Sequence, residues 1–164
     1  MKRSDDIMEL ATALSAAQGE IVNPEKNAVN PYFSNANKTA RYADLAEVLK
    51  VVRPAFSKNG LSFIQLPSIA ENSASVETVL MHKSGQFISE IISSPVPPKK
   101  DKETGAVLPL TAQSIGSVIT YLRRYAIAAF AGVAQEDDDG NAATGVKVED
   151  KKEVTSEPKQ DDFL

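Results

Sequence analysis

Tyr121, Arg123, Arg124 and Tyr125 set two guanidinium groups beside two phenol rings within five residues of a 164-residue chain. A nucleic-acid strand offers partners to both types: phosphate charge for the arginines, base or sugar faces for the rings. The same four residues also suit a half-buried helix, with tyrosines in the core and an Arg-Arg pair on a solvated face. The helix alone leaves both readings open. Its pattern predicts a run over residues 112–131, ended by Gly132. Ile115, Val118, Ile119, Leu122, Ala126, Ala129 and Phe130 share an apolar face, Ser117, Thr120 and Arg124 another, and Arg123 lies near its edge.

Further cations and rings form secondary sets. Lys99, Lys100 and Lys102 sit in a charged loop ahead of that helix, and Lys38, Arg41 and Arg53 lie earlier in the chain. Each suits a phosphate contact, and each lysine equally suits a solvated surface charge. Tyr32, Phe33 and Tyr42 are candidates for base stacking, worth about 1–3 kcal/mol per base. The competing role for Phe33 and Tyr42 is to pack a second helix onto a sheet. Glu136, Asp137, Asp138 and Asp139 raise a metal-dependent nuclease as an alternative, but successive residues of an extended segment point their carboxylates apart. Among histidines the chain has only His82, in a predicted turn, so no metal site is expected.

Charge is unevenly placed. Residues 1–133 carry 14 Lys+Arg against 12 Asp+Glu, and residues 134–164 carry 4 against 10, so the formal net charge of −4 hides a mildly basic body and an acidic tail. An acidic overall balance therefore does not exclude a nucleic-acid partner. There is no cysteine, which rules out disulfides, thiolate metal sites and a cysteine nucleophile. No phosphate loop of the G-x-x-x-x-G-K-[ST] type occurs, which argues against an ATP-driven motor. No stretch approaches the roughly 20 apolar residues of a membrane span, and a soluble cytoplasmic protein without cofactors is expected.

The positioning elements follow from periodicity. Ser4 suits the cap of a first helix, in which Ile7, Leu10, Ala11, Leu14 and Ala17 recur at helical spacing up to Gly19. A second helix is expected from about Tyr42, with Leu45, Val48, Leu49 and Val52 as its stripe, a break or kink at Pro54 and a stop at Asn59-Gly60. Strands are expected over residues 61–66, 75–81 and 86–93, the last two joined by a turn at His82-Lys83-Ser84-Gly85. The order predicts an α+β fold with a small antiparallel three-stranded sheet packed with helices. Past Gln135 the composition predicts a disordered acidic tail.

The runs Asn30-Pro31-Tyr32-Phe33, Arg41-Tyr42-Ala43-Asp44-Leu45 and Val52-Arg53-Pro54-Ala55-Phe56-Ser57-Lys58-Asn59-Gly60-Leu61 resemble the ERF (essential recombination function) family of phage single-strand DNA annealing proteins. So do Gln113-Ser114-Ile115-Gly116-Ser117, Tyr121-Leu122-Arg123-Arg124-Tyr125 and Glu136-Asp137-Asp138-Asp139-Gly140, in the same order along residues 5–142. Here the link over residues 34–40 is longer than the family pattern usually has. The resemblance implies a fold related to ring-forming annealing proteins, an annealing domain over residues 1–133, and a non-enzymatic, ATP-independent pairing of complementary strands during phage recombination in a bacterial host cell. It implies single-stranded DNA, the complementary strand and further copies of the chain as partners. A strand-coating protein without annealing activity is the alternative within binding modules. The last residues, Asp161, Asp162, Phe163 and Leu164, resemble the acidic-aromatic tip with which bacterial single-strand DNA-binding proteins dock on partner proteins.

Overall fold

Alternation in one strand organises the molecule. Ala74, Val76, Thr78, Leu80 and His82 are buried at every second position, and that face carries the helices. The computed structural model describes residues 1–29, 34, 39–101 and 103–134. In it the order is β1 (Lys2–Arg3), α1 (Met8–Glu20), β2 (Ala28–Val29), β3 (Arg41–Tyr42), α2 (Leu45–Lys58), β4 (Leu61–Ala70), β5 (Ser73–His82), β6 (Phe87–Pro95) and α3 (Ala112–Ala131). The fold is α+β, with an antiparallel sheet in the order β1-β6-β5-β4. A small antiparallel pair, β2 with β3, stands apart from it.

The main sheet therefore has four strands, not the expected three. Lys2 and Arg3 pair with Ser89 and Ile88, two polar residues without any period of their own. Ser4 continues that pairing instead of capping α1: its N–H donates to the Phe87 carbonyl at 3.0 Å, and its Oγ accepts from the Phe87 N–H at 2.8 Å. Asp6 takes over at the helix start, with Oδ1 accepting from the Met8 N–H at 2.9 Å.

The strand β4 runs four residues past its expected end, through Pro67. An edge strand tolerates the missing N–H, and β4 pairs only with β5. The turn that follows places Glu71 at φ 50°, a left-handed residue without the glycine that usually marks one. By contrast, the turn into β6 uses Gly85 at φ 91°, as its sequence announces.

Helix α2 starts at Leu45 and runs unbroken through Pro54, which is exposed. Its stripe is Val48, Leu49, Val52, Ala55 and Phe56, all buried. Val48, Leu49, Val52 and Phe56 of that stripe, with Leu10 and Ala17 of α1, Leu61, Leu80, and Ile127, Ala128 and Ala131 of α3, belong to the larger core cluster. A second cluster of Ala74, Val76, Val96 and Leu122 sits under the first half of α3. Local signals set the bounds of α3: Thr111 accepts from the Ser114 N–H at 3.2 Å in a capping box, and Gly132 ends it at φ 68°.

Candidate nucleic-acid interface

Spacing of three and four puts Gln113, Gly116, Ser117, Thr120, Tyr121 and Arg124 along one flank of α3. That flank faces the segment where β3 passes into α2. Asp44 caps α2, its Oδ1 accepting from the Glu47 N–H at 2.9 Å. Asn27 holds the cap from outside: its Nδ2 donates to Asp44 Oδ2 at 2.9 Å, and its Oδ1 accepts from the Asp44 N–H at 3.1 Å. Between the two elements lies an open cleft of about 380 Å³, lined by Tyr42, Asp44 and Leu45 on one side and by the α3 flank on the other.

Arg124 holds the cleft together. It is 6% exposed, and its guanidinium carbon lies 4.6 Å from the ring centre of Tyr42, 4.8 Å from that of Tyr125 and 5.5 Å from that of Tyr121. One terminal nitrogen donates to the Ala43 carbonyl at 3.4 Å, a contact between residues 81 positions apart. Tyr121 and Tyr125 stack at 4.2 Å with a tilt of 32°. A guanidinium amid three ring faces joins α3 to the β3–α2 segment through cation–π attraction. Tyr121 remains 49% exposed, so one ring of the cluster is open to a ligand.

The cleft lining carries one carboxylate, Asp44, and one guanidinium, Arg124. The Glu47 backbone N–H, with the Asn27 amide next, holds the Asp44 carboxyl below the usual aspartate range, and the charge of Arg124 adds a smaller effect. A carboxylate is thus on the wall, while the nearest cation is covered by rings.

The remaining expected site residues are dispersed. Arg123 turns toward the sheet: its Nε donates to Gln65 Oε1 at 3.2 Å, while Gln65 Nε2 donates to the Arg123 carbonyl at 2.9 Å and to Thr78 Oγ1 at 3.2 Å. Successive helix residues diverge by about 100°, so Arg123 and Arg124 do not form one cationic patch. Arg41 is exposed beside Tyr42, and Arg53 is exposed on α2, about 13 Å along the helix from its cap. Lys99 and Lys100 are exposed on a loop closed by Leu108 N–H to Lys99 carbonyl and Asp101 N–H to Ala106 carbonyl bonds, both 2.8 Å. Asp101 Oδ1 braces its tip by accepting from the Glu103 and Thr104 N–H groups and from Thr104 Oγ1.

Tyr32, Phe33, Lys38, Lys102, the cluster at Glu136, Asp137, Asp138 and Asp139, and the tip at Asp161, Asp162, Phe163 and Leu164 lie outside the described residues. Among the described residues no group of three or more acidic or histidine side chains is arranged to hold a metal ion, and no helix is long and apolar enough to cross a membrane. Asp44, Gln113 and Gly116 were not read as site residues from sequence. The available signal was their place within the two runs flanking Tyr42 and Tyr121.

Those two runs, far apart in the chain, meet at one cleft. The family model of the ERF superfamily matches residues 10–162. The chain belongs to the ERF superfamily. No curated protein and no solved structure matches it. The ERF match covers the whole cleft and continues through most of the acidic segment. Membership places the chain, in general terms, among phage-associated recombination and annealing proteins, a family that is not a class of catalysts.

Proposed function

We propose that this ERF-superfamily chain binds single-stranded DNA as an oligomer and anneals complementary strands without ATP. The observation that carries the reading is the meeting of the Tyr42-Ala43-Asp44-Leu45 and Gln113-to-Tyr125 runs around an exposed tyrosine. Annealing makes no bond. It needs one sugar–phosphate backbone held by cations while base edges stay free to pair. Lys99, Lys100, Arg41 and Arg53, all exposed, are the cations for that work, with Lys102 and Lys38 as further members. Arg123 reaches phosphate by releasing Gln65, whereas Arg124 acts by fixing Tyr42, Tyr121 and Tyr125. Tyr32 and Phe33 are proposed as additional stacking residues.

A body with a surplus of two positive charges binds weakly as a single copy. Many copies along one strand multiply that affinity, which favours a ring or filament. The tip at Asp161, Asp162, Phe163 and Leu164 is proposed to dock on recombination or replication proteins, and the site of action is the bacterial host cytoplasm.

The test mixes two complementary labelled oligonucleotides with the protein, without ATP, and follows duplex formation. Acceleration supports the reading. Binding without acceleration marks a strand-coating protein, and magnesium-dependent shortening of the strands marks a nuclease.

A further inference from the structure

Nothing among the described residues requires Gly116 to be a glycine. It sits in the second turn of α3, where glycine is a poor helix former, and its φ is not positive. A Cβ built on it meets nothing within 4 Å, so among the described residues no close approach requires its absence. The empty space it leaves belongs to the cleft, where Gly116 lies beside Ser117 and Thr120. Glycine at such a place lets an outside group come close to helix backbone.

The lining indicates the kind of group. Tyr42 and Tyr121 supply ring faces, and Gln113, Ser117, Thr120 and Asp44 supply both donors and acceptors at the edges. A phosphate is disfavoured, because Asp44 is a carboxylate and Arg124 is covered by three rings. A flat heterocycle with donors and acceptors around its rim suits the ring faces and polar edges of this lining. The volume lies within the range of sites that hold small ligands.

We infer that the cleft between α3 and the α2 cap receives one unpaired nucleobase of a bound strand, with Gly116 as its open floor. The inference rests on the single-strand reading above and adds a base site to it. Each copy then anchors one base, and its neighbours along the strand stay free to pair.

The test compares wild type, Gly116→Ala and Gly116→Leu for binding to a single-stranded 20-mer and to an abasic 20-mer of the same backbone. Either substitution improves helix propensity, so melting temperature should hold or rise. The expected result is a loss of about tenfold for Gly116→Leu on the base-bearing strand, the size of one lost stacking contact, with a smaller loss in the same direction for Gly116→Ala. Its salt slope should be unchanged, since no cation is removed, and the abasic strand should bind wild type and Gly116→Leu equally.

Equal affinity of wild type and Gly116→Leu for the base-bearing strand overturns the base site and leaves the annealing reading intact. Equal weakening on both strands, or a changed oligomer size, also overturns it by assigning the cleft to backbone or to a second copy. Failure of wild type to bind either strand removes the single-strand reading and this inference together.

Discussion

Replacing Arg124 by alanine tests whether this guanidinium is a clamp or a phosphate ligand. Removing it loses contact with Tyr42 at 4.6 Å and Tyr125 at 4.8 Å, worth about 1 kcal/mol each, and with Tyr121 at 5.5 Å, worth about 0.5 kcal/mol. The long hydrogen bond to the Ala43 carbonyl adds about 0.5 kcal/mol. The sum is about 3 kcal/mol, which for a domain of this size lowers the melting temperature by roughly 10 °C. Arg124→Lys keeps the charge but loses the planar face, and should fall in between.

Thermal melts followed by circular dichroism measure the loss directly. Near-ultraviolet tyrosine signals report the ring cluster, because the chain has no tryptophan to mask them. Strand binding at several salt concentrations supplies the second readout. A clamp leaves the slope of log affinity against log salt unchanged. A melting temperature within about 2 °C of wild type, with the slope reduced by about 0.7, would refute the clamp and make Arg124 a phosphate contact.

Three further outcomes are expected. Removing Lys99 and Lys100 together by alanine substitution should reduce the salt slope by about 1.4 and barely change stability; an unchanged slope excludes this loop from the backbone contact. Asp44 has a lowered folded-state pKa, so its stabilisation is complete above the ordinary aspartate range and is lost as pH falls through the lowered value. Melting temperature against pH should therefore drop less steeply on the acid side for Asp44→Asn, and parallel curves would count against the cap as its source. Deleting residues 135–164 removes 10 acidic and 4 basic residues and takes the net charge from −4 to +2. Single-strand affinity at low salt should rise while melting temperature stays within a few degrees, since the described core clusters use no residue beyond 134; a large thermal loss contradicts this.

Signals confined to a few residues were legible. Gly132 ends α3 where the pattern placed it, the α2 stripe is buried as its spacing implies, and the Gly85 turn joins two strands. Local chemistry settles such features, because a cap or a glycine acts within one turn of chain. Ser117, Thr120 and Arg124 also share a flank, which helix geometry alone requires.

Long-range partners settled the rest. Lys2 and Arg3 are a strand only because β6 offers them an open edge, and β4 passes Pro67 only because its own edge is free. The motifs around Tyr42 and Tyr121 were visible separately as patterns, with no hint of a shared cleft. Periodicity placed Arg124 on a polar flank, yet three rings and a carbonyl from 81 residues away enclose it. Sequence thus determined which side chains each element presents. Burial depends on what another element lays over them, and only the tertiary structure could decide that one arginine is covered while one tyrosine stays open.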